Sequence, residues 1–400
     1  MLANDENFFN IIFYLQDLNK EIAKEAFEFL NVIATNPKIY KQLLFIGKSQ
    51  EDIKWESQLD EKNIYKLIYS LQIIESFLED IEISSEKVES FSNEEVILGM
   101  KDISLRELKN LKMEWMRVFI KNNGYSYLIS ILEKKLGDYA NNIKNNAENS
   151  LMSNICLDLL LRISRIIYSS SLNKFKVYRE VNRYIDNLRG NKPKEIISEV
   201  KEELTTSTNS ANNNEDILKL NRQNSRKVAT SELENFFSGE LGDKILNSVK
   251  NKDIVINLIE VLSSLTDNKT RTEEETNIIV NSFSFLCGLL GFSPNSSDIE
   301  KSLIDTKSKE FKNICLFGIL NKEENTRILF SNSLITLCNA AKFKKIFKFI
   351  HYLFTFIFLV IENMDQNLEK ISSEIFDLFS NLFEVYLSCE DEIVKSNTII

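Results

Sequence analysis

Punctuation is scarce in this chain. Across 400 residues there are 10 Gly and 3 Pro, too few for the turns of an all-β sandwich or for the glycine-rich loops of a nucleotide-binding α/β fold. Helices joined by short polar connections need little of either, so the expected class is all-α. The apolar pattern agrees. In NIYKLIYSLQIIESFLEDI, Asn63 to Ile81, the residues Ile64, Leu67, Ile68, Leu71, Ile74 and Leu78 recur at steps of three and four. That is the repeat of a helix with one buried face.

Helix, break, helix is the recurring theme. Asp5 to Leu18 and Glu21 to Ala34 read as helices, the second with Ile22, Ala26, Phe29, Leu30 and Ile33 along one side. Asn36-Pro37 ends it, and Pro37 opens a short helix that Gly47 closes. A polar connection around Trp55 leads to the Asn63–Ile81 helix, and an acidic, serine-containing loop runs from Ile81 to Glu95. Leu105 to Lys121 and Tyr125 to Leu136 form an αα-hairpin hinged on KNNGY. There Gly124 is expected in the left-handed conformation that closes a helix at little cost. Asn154 to Ser169 and Phe175 to Leu188 make another pair, ended by Gly190 and Pro193.

From Leu204 to Thr230 the text turns to TTSTNSANNNEDILKLNRQNSRKVATS, poor in large apolar residues, which reads as a flexible linker. Beyond it helices are expected at Ile254–Leu265, Glu273–Leu290, Phe311–Leu320, Glu323–Ala340, Ile346–Glu362 and Leu368–Ser388. The last places Ile371, Ile375, Leu378, Phe379, Leu382 and Tyr386 on one face. Pairs spaced roughly forty residues apart match the general period of armadillo or HEAT arrays. The expected architecture is therefore an α-solenoid of paired antiparallel helices. Residues 1–203 would form an N-terminal armadillo-like region, 204–230 a disordered linker, and 231–400 a C-terminal helical region continuing the array.

Charge and cysteine usage narrow the function. With 59 acidic against 49 basic side chains the net charge is −10, which repels a phosphate backbone, so nucleic acid is not an expected partner. Cys156, Cys287, Cys315, Cys338 and Cys389 are odd in number and scattered, without a C-x-x-C pair or a secretory framework. Reduced thiols in the cytoplasm or nucleus fit best. The opening MLANDENFFNIIF has neither a basic n-region nor a small-residue cleavage site, so no export signal is expected. The most apolar run, Ile346 to Ile361, spans sixteen residues and contains Lys348 and His351. A membrane helix wants about twenty apolar residues, so a buried central helix is the expectation and a membrane is not an expected partner.

Chemistry-bearing residues are few. His351 is the single histidine and lies in KFIHYLFTFIFLVI among aromatic and aliphatic residues, where a charged imidazolium would be costly. Cys338 precedes it by thirteen positions in NSLITLCNAA, without the basic, exposed surroundings that activate a thiolate. Both read as packing residues. H-E-x-x-H, carboxylates at metal-ligand spacing and G-x-x-x-x-G-K-[ST] do not occur. No catalytic residue, metal or cofactor is expected.

One resemblance reaches further. IYKLIYSLQIIESFLE, Ile64 to Glu79, and WMRVFIKNNGYSYLISIL, Trp115 to Leu132, resemble the armadillo-like helical region of the very large ubiquitin-specific proteases of the fat-facets type. The matching positions are Lys66, Leu67, Tyr69, Ser70, Leu71, Gln72, Ile73, Ile74 and Glu75, then Trp115, Phe119 and Gly124. The similarity covers about residues 5 to 170 and includes FEFLNVIATNPKIYKQLL from Phe27. Asn123 stands where the family has its first hinge glycine, and asparagine tolerates the left-handed region. SNSLITLCN and IHYLF only echo the protease's Cys and His boxes: Leu337 separates Thr336 from Cys338, and the glycines are absent. The resemblance thus implies the protein-binding arm of a deubiquitinase without its catalytic domain, holding ubiquitinated substrates or partner proteins. A stand-alone armadillo-type scaffold unrelated to ubiquitin is the alternative.

Overall fold

The computed structural model describes residues 6–16, 20–32, 35–45, 54–82, 105–145, 149–172, 240–249, 252–268, 271–293, 303–363 and 373–390. All regular structure among them is helical. The labelled helices are α1 (Glu6–Gln16), α2 (Lys20–Val32), α3 (Pro37–Leu44), α4 (Trp55–Gln58), α5 (Ile64–Glu82), α6 (Leu105–Lys121), α7 (Gly124–Lys144), α8 (Leu151–Leu172), α9 (Glu240–Ser248), α10 (Lys252–Asp267), α11 (Glu273–Phe292), α12 (Ser308–Ile319), α13 (Glu324–Phe343), α14 (Phe347–Asn363) and α15 (Ser373–Leu387). The expected loop at 81–95 (from residue 83 on), the helix at 175–188 with Gly190 and Pro193, the linker at 204–230, Gly47 and Ile371 lie outside the described residues.

The chain folds into two compact units. The first comprises Met1–Tyr168, Asp243–Asn257 and Asn268–Asn281; the second comprises Ser169–Gly242, Leu258–Asp267 and Ser282–Ile400.

In the first unit α5 packs against α1, α3 and α6. Leu67, Ile68, Leu71, Ile74 and Leu78 are buried as their spacing requires, and Tyr69, Ile73 and Phe77 join them. Burial therefore extends beyond one stripe, because three neighbours share this helix. Each fully buried Leu or Ile contributes about 1.5–3 kcal/mol relative to exposure. The amino end of α3 is fixed locally. Asn36 accepts from the backbone N–H of Lys38 at 2.9 Å and of Ile39 at 3.1 Å through its side-chain oxygen, and Pro37 follows at the first helical position.

Two elements differ from expectation here. The connection around Trp55 is a one-turn helix whose tryptophan is buried. A single tryptophan in polar text has no periodicity to betray its burial. Helix α7 continues past Leu136 to Lys144, since Leu132, Leu136, Tyr139 and Ala140 keep the apolar face going through Gly137. Helix α9 was not among the expected elements, although Leu241, Ile245, Leu246 and Val249 recur at helical steps, and it binds the start of α7 and the end of α6. Lys244 Nζ donates to the Lys121 carbonyl at 3.0 Å, and the Ser126 and Ser248 hydroxyls lie 2.6 Å apart.

In the second unit α13 packs against α12, α14 and α15, and α14 also meets α12 and α15. Phe330 stacks on Phe283 with ring centroids 3.9 Å apart and 13° between planes. Between α13 and α14 the Ile346 N–H donates to the Ala341 carbonyl and the Lys345 N–H to Lys342, both at 3.0 Å, with Lys345 at φ 58°. This is a Schellman ending with lysine in the place glycine usually takes. Helix α14 buries Phe349, Ile350, Tyr352, Leu353, Phe356, Ile357 and Val360. Among the described residues the helix long and apolar enough to cross a membrane is α11, and two thirds of its most apolar window is buried in the fold. On α15, Ile375, Leu378 and Leu382 are buried while Phe379 and Tyr386 are half-buried.

Two helical glycines respond oppositely to an added methyl group. A Cβ on Gly318 would overlap the Phe330 ring, whereas one on Gly137 would meet only Asn257 Nδ2 at 3.8 Å. Gly318→Ala is expected to lower stability by about 1–3 kcal/mol through overpacking, and Gly137→Ala to raise it by about 0.5–1 kcal/mol. Urea unfolding of both variants beside the wild-type chain checks the signs.

Candidate functional site

The residues singled out by the resemblance come together in the first unit, around two features: an aromatic seam and a polar seam. Trp115 and Phe119, one turn apart on α6, stack with centroids 4.9 Å apart and 15° between planes. Phe77 of α5 meets Trp115 edge-on at 5.1 Å, and Tyr40 of α3 meets Phe77 edge-on at 5.1 Å. At the other end Trp55 of α4 meets Phe119 edge-on at 5.0 Å. Its indole N–H donates to the Asn122 carbonyl at 2.7 Å, clamping the α6–α7 corner. Edge-to-face and offset contacts of this kind add about 0.5–1.5 kcal/mol each beyond area burial.

Gly124 occupies that corner, for a reason other than the one expected. The left-handed residue is Asn123, at φ 63°; Gly124 is the first residue of α7. What matters at Gly124 is the missing side chain. A Cβ there would lie 2.8 Å from Trp55 Cε2 and closer still to the Phe119 ring. The asparagine supplies the backbone turn and the glycine supplies the space. Tyr69, a turn before Ile73 on α5, receives the Asn36 backbone N–H on its hydroxyl at 2.8 Å and so ties α5 to the start of α3. Burial pushes its phenol up to about 12. Leu71 lies wholly in the core.

The polar seam begins at Glu75. Nε of Arg162, on α8, lies 3.2 Å from Glu75 Oε1 and 3.3 Å from Asp158 Oδ2, distances of ion pairing without the in-line geometry of a hydrogen bond. Asn281 of α11 donates through Nδ2 to Asp158 Oδ1 at 2.8 Å. Gln72 is half-buried one turn before Glu75. Burial raises the Asp158 carboxyl above its ordinary value; Arg162, Asn281 and Arg165 pull it back, and Glu274 pushes it further. Asp158, Arg162 and Asn281 were not singled out from sequence. The available signal is a pair of opposite charges four apart inside the apolar LDLLLRIS of α8. A guanidinium held between two carboxylates sets the register of α5 against α8. It holds no group poised as a nucleophile.

In the second unit Cys338 is fully buried on α13, and desolvation pushes its thiol up to about 12. His351, on α14, is half-buried with its ring 6.0 Å from that of Tyr386 and its Nδ1 buried without a hydrogen-bond partner. A thiol that stays protonated at neutral pH is a packing group. Cys156 is likewise pushed up to about 12 by burial, and Cys287 and Cys315 are raised by it as well.

No protein-family model, curated protein or solved structure matches this chain.

The raised Asp158 carboxyl has a pH consequence. Because the folded state holds that proton more firmly than the unfolded chain, the group's contribution to stability is greatest below its ordinary value of 3.8 and is lost as pH rises through the folded value. Asp158→Asn removes this titration. The stability of wild type relative to the variant is expected to improve between about pH 7 and about pH 4.5, read from urea midpoints at each.

Proposed function

We propose that this chain is the non-catalytic, armadillo-like arm of a ubiquitin carboxyl-terminal hydrolase, an array of paired antiparallel helices that holds ubiquitinated substrates or partner proteins for deubiquitination. The observation that supports it most is the convergence of Tyr69, Glu75, Trp115, Phe119 and Gly124. Residues matched to the family by sequence share two contact networks in the first unit, each with a packing task at a helix corner or between helices. That is how an array of helical pairs would use them, since each pair is stabilised through contacts with its neighbours. The solvent-facing side of such an array is where partners bind. The protein acts in the cytoplasm or nucleus, in keeping with its buried, reduced cysteines.

Chemistry at the second unit's thiol fits the same reading. Cys338 lacks both exposure and a lowered thiol pKa, the two properties that an attacking cysteine requires. Catalysis is therefore assigned to another domain.

Two measurements test the proposal. A ubiquitin-based covalent probe is expected to leave the native chain unlabelled, and labelling at Cys338 would assign catalysis to this chain instead. Partners captured on the immobilised chain are expected to be enriched in ubiquitin-remnant peptides over a bead control. Captured proteins without that enrichment would favour a scaffold unrelated to ubiquitin, the reading that the purely structural tasks of the matched residues also accommodate.

A further inference from the structure

Of the 10 glycines only Gly124 follows an asparagine, so Asn123-Gly124 is the single Asn-Gly step in the chain. In an unfolded chain this dipeptide loses its side-chain amide more readily than other asparagine steps, because glycine has no side chain to cover its backbone nitrogen. Asn123 is exposed, and its side chain makes no capping hydrogen bond to α7. What the fold controls is the backbone beside it. Cyclisation needs the Gly124 nitrogen swung toward the Asn123 side chain about the Cα–C bond. At φ 63° and ψ 16° that nitrogen nearly eclipses the backbone nitrogen of Asn123 itself and is turned away from the side chain. Rotating ψ would pull the Asn123 carbonyl off the Tyr127 N–H, which it accepts at 2.9 Å. It would also draw buried Gly124 out from between the Phe119 ring and the Trp55 indole, whose N–H holds the Asn122 carbonyl at 2.7 Å.

We propose that Asn123 is a modification site gated by the fold: it deamidates when the α6–α7 corner opens, and the isoaspartate formed then prevents the corner from closing again. In the open corner the Gly124 nitrogen bonds to the side-chain carbonyl carbon of Asn123. The bond from that carbon to Nδ2 breaks, and ammonia leaves with the proton given up by the Gly124 amide. Water then opens the cyclic imide at either carbonyl. Attack at the side-chain carbonyl yields aspartate; attack at the main-chain carbonyl yields isoaspartate, whose backbone runs through the former side chain and is longer by a methylene. The net change is amide plus water to acid plus ammonia, without oxidant or reductant. The two products differ in consequence. Aspartate keeps the backbone, tolerates the left-handed region and brings a carboxylate to the amino end of α7. Isoaspartate displaces Gly124, where even an added Cβ would lie 2.8 Å from Trp55 Cε2 and closer to the Phe119 ring. The corner thus carries a lasting record of having opened.

Mass spectrometry of the tryptic peptide Asn122–Lys134, from full chain aged in buffer and in denaturing urea, reads the rate, and an Asp-specific protease separates aspartate from isoaspartate. The native chain is expected to deamidate more slowly than the unfolded one by on the order of a hundredfold. Trp55→Phe keeps a ring over Gly124 but removes the donor to Asn122; with its helical circular dichroism retained, it is expected to speed the native reaction about three- to tenfold. Gly318→Ala, which loosens the second unit, is expected to leave the rate unchanged. The isoaspartate-bearing fraction is expected to lose urea resistance, and Asn123→Asp to keep it. A native chain that reacts as fast as the unfolded one overturns the proposal, a comparison that needs no variant. So does a Trp55→Phe chain that reacts no faster than wild type, a Gly318→Ala chain accelerated as much as Trp55→Phe, or an isoaspartate fraction as stable as the unmodified chain.

Discussion

Large rings in this protein sit in spaces that exist only because a glycine faces them. Phe119 lies against Gly124 in the first unit and Phe330 against Gly318 in the second, each closer than a methyl group would permit. Dispersion between an aromatic face and a backbone falls off within an ångström, so the close approach gives the contact its strength. At the α6–α7 corner the fit has a second half: the Trp55 indole closes over the same glycine and its N–H caps the Asn122 carbonyl. A backbone carbonyl left exposed by the end of α6 is thus satisfied from a distant part of the chain.

From that corner order spreads in two directions. Along the aromatic seam, Trp115 passes contact to Phe77 and then to Tyr40, so α3, α5 and α6 share one set of rings. Along the polar seam, Arg162 lies between Glu75 and Asp158, with Asn281 holding the far carboxylate oxygen. The Arg162 side chain keeps more than a third of its surface in solvent, so its pairs with Glu75 and Asp158 are worth about 0–1 kcal/mol and act through their geometry. Ring contacts supply much of the cohesion and the ion pairs define the register.

The groups that could have carried chemistry have been drawn into packing. Cys338 is sealed on α13, where desolvation keeps its proton in place, and His351 stands beside the Tyr386 ring on a largely apolar face. Lys342 pulls the Cys338 thiol down, but desolvation and Cys389 outweigh it, and His351 Nδ1 has no hydrogen-bond partner to orient the ring. What the second unit presents to solvent is instead the aromatic outer face of α14 and α15.

Helix identity was legible in the text because the steps of three and four are a local property of each segment. Ile64, Leu67, Leu71, Ile74 and Leu78 announce α5, and Asn36 with Pro37 announces the start of α3, through interactions within a few residues of chain. Glu75, Trp115 and Phe119 could be named from a resemblance, yet their partners could not. Trp55, Arg162 and Asn281 lie far away in sequence, and no local pattern says which helix a side chain will meet. The roles of Asn123 and Gly124 were exchanged for the same reason: the left-handed turn and the space for a ring are both plausible uses of glycine, and only the position of Phe119 and Trp55 decides between them. Sequence alone therefore determined that the chain is helical and which faces are apolar, since backbone hydrogen bonding and periodicity are local. Tertiary structure decided which rings and charges pair, since those contacts depend on where distant helices come to rest.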